Sequence, residues 1–225
     1  MKLVLSCEHF SNALPEKFKY LFEGNLQVLE SHRGYDLGSQ QVFEALAPLA
    51  DFHLHYPYSR LLIEPNRSLH HPRLFSEFSN NLDDQQKQEL VKHYYLPYRE
   101  RVEKEIREII NAGQACLHLS VHSFTPVLDG QVRNADLGLL YDPKRVLEKD
   151  FSRDFKKRLL EQDAQLKIRF NYPYLGTADG FTTHLRKVFP PHYAGIELEI
   201  KNSIIHPELI GKIKSAMEAM PEISH

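Results

Sequence analysis

Short apolar runs and amphipathic helical segments take turns along this chain, and that alternation limits it to a layered α/β architecture. The clearest run is Leu117-His118-Leu119-Ser120-Val121, which then reaches His122 and turns at Pro126. Leu117, Leu119 and Val121 alternate with polar residues, the period of a strand. Similar runs occupy residues 2–7, 51–58, 59–63, 136–142, 167–170 and 194–200. Between them the apolar residues change to helical spacing: Val42, Leu46 and Leu49; Leu90, Tyr94, Tyr98, Val102 and Ile106; Val146, Phe151, Phe155 and Leu159. Two further helices are expected over 182–188 and 207–220, and a short helix or turn over 16–23. The pattern predicts one domain over residues 1–225, with a largely parallel sheet and the run 2–7 as a central strand. Asp83 is a suitable helix start and Gly113 a suitable stop, while Pro97 should kink or split the helix between them. The charged residues 99–108 read as a solvated helix face. Residues 72–81, with Phe75 and Phe78, read as a loop that could cover a site.

In a parallel sheet, ligands collect beyond the carboxyl ends of the strands. The polar residues of this chain stand there: Glu8 and His9, Asn66 and Arg67, His122, and Glu197 with Glu199. Glu197 and Glu199 alternate with apolar neighbours and so share one face of the last strand. Two like charges on a central strand are costly unless a cation or a solvated cleft meets them. Asp36 can cap the helix that follows it, or serve as a metal ligand or partner of a histidine. Arg67 beside Asn66 can clamp a carboxylate, the guanidinium bidentately and the amide as a further donor.

There is no HExxH, no paired CxxC, no glycine-rich phosphate loop and no GxSxG. Dispersed ligands are nonetheless compatible with a catalytic zinc, which takes three protein ligands and keeps one position for water. A glutamate outside the ligand set then serves as general base and acid. Net charge is −2 and no basic run occurs, which excludes a nucleic-acid footprint. No segment approaches membrane-spanning length. The two cysteines, Cys7 and Cys116, lie in apolar runs and read as buried thiols, which suits a reducing cytoplasm. Most of the 13 histidines, such as His70, His71 and His206, read as surface or turn residues.

Five segments together resemble the N-formylglutamate amidohydrolase family: Ser6-Cys7-Glu8-His9-Phe10-Ser11-Asn12, Glu64-Pro65-Asn66-Arg67, Ser120-Val121-His122-Ser123-Phe124, Tyr174-Leu175-Gly176-Thr177-Ala178-Asp179-Gly180 and Gly195-Ile196-Glu197-Leu198-Glu199-Ile200-Lys201-Asn202. The resemblance implies a fold similar to zinc carboxypeptidases and aspartoacylase, a three-layer sandwich with a mixed sheet between helices. It implies a Zn2+-dependent amidohydrolase acting on a small N-acyl amino acid such as N-formylglutamate. His9 and His122 then look like zinc ligands, Glu199 like the catalytic glutamate, and Asn66 and Arg67 like the carboxylate-binding pair. Zinc carboxypeptidases carry a glutamate three residues after the first histidine, where this chain has Asn12, so the third ligand falls to Asp36 or Glu8. Arg60 and Arg133 would add positive charge near the substrate, and Thr177, Asp179 and His184 would shape the pocket rim. A carboxypeptidase-like or other N-acyl amidase, or a binding protein that has lost catalysis, are the alternatives.

Overall fold

The computed structural model describes residues 1–220. A six-stranded mixed sheet lies between two layers of helices. Its strands are β1 (Lys2–Cys7), β2 (Phe52–His55), β3 (Cys116–Phe124), β6 (Leu137–Leu140), β7 (Ile168–Phe170) and β8 (Tyr193–Lys201), in the order β2-β1-β3-β8-β6-β7. All neighbours are parallel except β6 and β8, so the expected three-layer sandwich with a largely parallel sheet is what forms. β1 is not the central strand, because β2 adds to its outer edge. β3 and β8 hold the centre.

The alternation seen in the sequence sorts the two faces of the sheet. Leu117, Leu119 and Val121 of β3, with Ala194, Ile196, Leu198 and Ile200 of β8, join a core under α1 (Ser39–Leu46), α4 (Val146–Gln162) and α6 (Pro207–Glu218). The opposite face carries His118, Ser120 and His122 on β3. Gly195, Glu197 and Glu199 of β8 stand beside them in register. Its buried end packs under α3 (Leu96–Asn111) and α5 (Phe181–Val188), where Val4, Cys116 and Tyr193 meet Tyr98, Val102, Ile106, Phe181 and Leu185. The polar face is thus covered at the amino end of the strands and open at their carboxyl ends.

Several local expectations change. Residues 59–63 form turns, not a strand. Ser59 donates from its N to Ala13 O (2.8 Å) and from Oγ to Gly34 O (2.9 Å), so this backbone is satisfied by loops and its Leu62 and Ile63 side chains enter the core. Strand β2 is correspondingly only four residues long. The helix over 83–111 begins with a reciprocal capping box between Asp83 and Gln86, forming α2 (Asp84–Leu90). It is then interrupted by a π-helical turn at Val91–Tyr95. The register slip lets Pro97 fall in the first turn of α3, where its missing N–H costs nothing. Asp36 does not cap α1, whose N-cap is Gly38 at φ 85°. Residues 72–81 form turns, as expected of a loop, held down by buried Leu74 and Ser79 and by the Ser76 and Ser79 hydroxyls, both donating to Leu61 O. The loop over 123–134 holds a two-stranded hairpin, β4 (Val127–Leu128) and β5 (Gln131–Val132). Cys7 and Cys116 are free and buried. Among the described residues, no helix is long and apolar enough to cross a membrane.

One loop is welded to the sheet by glycine. A Cβ on Gly138 of β6 would lie 1.9 Å from Tyr172 O, and one on Gly176 would lie 2.2 Å from Tyr141 N. Only glycine permits this backbone-on-backbone contact. It fixes residues 171–180, of which Tyr174, Leu175, Ala178 and Asp179 line the site described next.

Candidate active site

At the carboxyl end of the polar face, three donor atoms converge. His9 Nδ1 lies 3.3 Å from Asp36 Oδ2, His122 Nδ1 lies 3.0 Å from the same oxygen, and the two Nδ1 atoms are 3.2 Å apart. All three residues are buried. Each comes from a different segment: His9 follows β1, His122 is in β3, and Asp36 is brought in by its N–H, which donates to His9 O (2.9 Å). Ser123 N also donates to Asp36 Oδ2 (3.1 Å).

The far side of each imidazole is held by a carboxylate. His9 Nε2 donates to Glu64 Oε1 (2.6 Å), and Arg60 donates from Nε to Glu64 Oε2 (2.7 Å). Arg60 also approaches Asp36 Oδ1 at 3.5 Å. His122 Nε2 donates to Ser120 Oγ (2.9 Å) and lies 3.2 Å from Glu8 Oε2. Ser120 Oγ passes the chain on by donating to that same Glu8 oxygen. Tyr98 donates from its hydroxyl to Glu8 Oε1 (2.8 Å). When both rings are neutral and donate from Nε2, both Nδ1 lone pairs face the common point, the arrangement that orients histidine for a metal, with Arg60 Nη1 also 3.3 Å from His9 Nδ1.

Burial alone would raise the carboxyl pKa of Glu8, Asp36 and Glu64. Their contacts with His122, His9 and Arg60 outweigh it and hold all three well below the ordinary range. Burial would conversely lower His122, but Asp36 and Glu8 push it well above its usual value. The site is therefore built for positive charge. The donor set fits a divalent ion as well: a tetrahedral zinc about 2.0–2.1 Å from N and O donors sets them about 3.3–3.4 Å apart, close to the triangle observed.

Of the two carboxylates proposed for the third position, Glu8 does not join the converging group; it lies behind His122. Glu199 is buried beside the group and its Oε2 has no hydrogen-bond partner. Burial, with the neighbouring Asp36 and Glu197 charges, pushes its pKa up to about 7 against the pull of His122. These residues open into a cavity of about 310 Å³ that is also lined by Asn66, Arg67, Arg73, Tyr174, Ala178, Asp179 and Glu197. Asn66 Oδ1 accepts from Phe181 N (2.7 Å). Arg67 donates to Asp179 O, while Asp179 Oδ2 accepts from Ser68 N (3.0 Å). Glu197 Oε1 accepts from Thr182 Oγ1 (2.6 Å).

Two expected rim residues, Thr177 and His184, lie outside the cavity lining, as does Arg133, expected to add positive charge near the substrate. Arg133 stays outside the lining, stacks over Phe124 and Tyr174 and donates to the Tyr174 hydroxyl (3.0 Å). Thr177 is exposed and outside the lining. His184 faces Glu103 on the surface between α5 and α3 (3.3 Å). Arg60 lines the cavity while paired with Glu64 and Asp36. Glu64, Ser120, Tyr98 and Arg73 join the site without a role assigned from the sequence. Ser120 carries a signal, sharing with His122 the polar positions of β3, and Glu64 heads one of the segments that carry the resemblance.

The model of the N-formylglutamate amidohydrolase family matches residues 1–206. A solved gene product of Agrobacterium tumefaciens is similar at 26% identity and TM-score 0.75, over 96% of this chain and 92% of that one. The N-formylglutamate amidohydrolase of Ralstonia eutropha is similar in fold at 17% identity and TM-score 0.70, over 96% and 91%. No curated protein matches the sequence.

Proposed function

The chain belongs to the N-formylglutamate amidohydrolase family, and from that premise we propose that it hydrolyses the amide of a small N-acyl amino acid with the help of one divalent metal ion, zinc. N-formylglutamate is the reference substrate. The observation that carries the proposal is the convergence of His9 Nδ1, Asp36 Oδ2 and His122 Nδ1 beside the unpartnered Glu199 Oε2, in one cavity with Arg67.

His9, Asp36 and His122 would hold the ion, and Glu64 and Glu8 would fix the two rings. The ion, when bound, supplies Lewis-acid polarisation and an acidified water. Glu199 Oε2 accepts the proton of the attacking water and returns it to the leaving amine nitrogen, because it is a fully buried carboxylate oxygen beside the converging group and no donor competes for it. A carboxyl held near pH 7 suits both transfers. Arg67, with Asn66, binds the substrate carboxylate and so sets the amide against the metal side of the cavity. The reach of Tyr174 and Leu175 at the cavity wall, 46% and 63% exposed, favours a second reading in which the acyl group is larger than formyl.

The test measures metal content and formate release from N-formylglutamate in the native protein and in Glu199→Gln. Turnover should depend on bound metal and fall about 10²–10⁴-fold in the variant, with metal retained. Full activity of Glu199→Gln without metal would contradict the mechanism. A panel of longer N-acyl amino acids and short peptides separates the two substrate readings.

A further inference from the structure

The charged face of α3 holds an exception. Arg101, Lys104 and Arg107 reach solvent and pair with glutamates one turn away, as such a face should. Arg99 turns inward and is only 6% exposed. Its guanidinium lies over the Phe181 ring, 4.2 Å from the centroid, and 5.0 Å from that of Tyr95. Among the described residues it has no carboxylate partner within ion-pair distance. A buried guanidinium without a counter-ion is costly, and an apolar side chain could fill the same space.

What Arg99 does hold is backbone. Its Nη1 donates to Pro65 O (2.9 Å) and approaches Arg67 O (3.5 Å). Tyr95 donates to Arg67 O as well (2.6 Å). The carbonyls it grips flank Asn66. The same four residues are pinned at their start by Glu64, which is engaged with His9, Arg60 and Asn66 N (3.0 Å). They are pinned from the side by Phe181 N on Asn66 Oδ1. The Arg67 carbonyl is held by Tyr95 and Arg99, and Ser68 N beyond it donates to Asp179 Oδ2 (3.0 Å). A planar guanidinium can bridge two carbonyls two residues apart while it stacks between rings. A lysine ammonium, a point charge on a flexible stem, cannot do both.

We propose that Arg99 is a positioning residue for carboxylate recognition: it sets the Asn66-Arg67 turn, and with it the direction in which Arg67 enters the cavity. The kinetic part of this proposal rests on the reading of Arg67 as the carboxylate clamp, while the structural part does not.

The experiment compares the metal-loaded parent, Arg99→Lys and Tyr95→Phe in two measurements. Hydrogen exchange is followed over residues 64–69. Kinetics are measured on N-formylglutamate and on the same compound with its α-carboxylate, the group next to the scissile amide and the one assigned to Arg67, converted to an amide. In Arg99→Lys the backbone amides of 66–68 should exchange faster with metal content unchanged. KM for N-formylglutamate should rise about tenfold, the worth of one hydrogen bond to a charged group, with kcat within about twofold. Activity on the amide should be unchanged. Tyr95→Phe should move in the same direction by a smaller factor, and it decides the matter if Arg99→Lys does not fold. Unchanged exchange in a folded variant overturns the proposal. Equal losses on both substrates, or a loss in kcat at constant KM, assign Arg99 to general stability and overturn it too. If the parent turns over neither compound, it is the substrate reading that fails, and the exchange measurement alone decides whether Arg99 sets the turn.

Discussion

The two ends of β3 each carry a buried histidine on the same face, four residues apart, and the surroundings treat them in opposite ways. His118 sits at the covered end. Its Nδ1 meets the Tyr193 hydroxyl and its Nε2 the Ser6 hydroxyl, both at 2.7 Å. Burial pushes its pKa down to about 4, the pull of Glu8 notwithstanding, so it stays neutral. His122 sits at the open end, equally buried, between Glu8 and Asp36, and its pKa is driven up. Burial alone neutralises a histidine; only carboxylates in contact reverse it. One strand therefore supplies a core residue and a site residue of the same type, separated by which neighbours the adjacent strands offer.

Exchanging the roles should fail in both directions, and the largest effect is expected at the open end. His122→Ala should abolish stoichiometric metal binding, and turnover with it, in a protein that still folds. His118→Ala should instead leave the specific activity of folded protein near the parent's and cost about 3 kcal/mol of stability, through a cavity and two orphaned hydroxyls. Urea unfolding and metal analysis of the two variants check this. An inactive but stable His118→Ala would erase the distinction.

Titration sharpens it next. Between pH about 6.5 and about 4 the unfolded chain binds a proton that folded His118 refuses. Its contribution is fully present above about 6.5 and lost as pH falls toward 4, on the order of 3 kcal/mol. In metal-stripped protein His122 does the reverse: its contribution is complete below its ordinary value of 6.5 and lost as pH rises through the raised pKa. Glu199, raised to about 7, loses stability with rising pH across a window overlapping that of His118. The His118 term is accordingly read as the difference between parent and His118→Gln. A pH-independent difference would contradict the assignment.

Smaller effects lie behind the ligands. Glu8→Gln should weaken metal binding about 10–100-fold by loosening the His122 ring. Tyr98→Phe, one shell farther out, removes one hydrogen bond worth about 1 kcal/mol and should weaken it a few-fold. Competition with a chelator of known affinity measures both. An equal response at His118, far from the ion, would deny that the effect runs through Glu8.

Much of this was legible in the sequence because strands declare their faces. The alternation in β3 and β8 put His122 and Glu199 on one face, and the end of β1 named His9, whereas Asn66 and Arg67 follow turns that only resemble a strand. What could not be read was the direction of side chains in loops. Asp36 and Glu8 were equivalent on paper. Their roles are separated by Tyr98 and Ser120, which draw Glu8 behind His122, and by the His9 carbonyl, which draws Asp36 in front. Residues 59–63 looked like a strand because buried turns and strands share apolar composition, and that hid the Arg60–Glu64 pair. Arg99 was hidden in a run of charges whose other members face water. His118 gives no signal of its own in the sequence, since a polar residue in a buried run shows its role only through its partners.

The central claim is that the open end of the polar face is a metal centre made by His9, Asp36 and His122. Anomalous diffraction at the zinc edge from zinc-loaded crystals tests it most directly. One peak per chain is predicted, contacted by His9 Nδ1, an Asp36 oxygen and His122 Nδ1, with Glu8 outside contact and Glu199 facing the remaining position. A peak held by Glu8 in place of Asp36, or no peak at this site in protein that turns over substrate, would contradict the account.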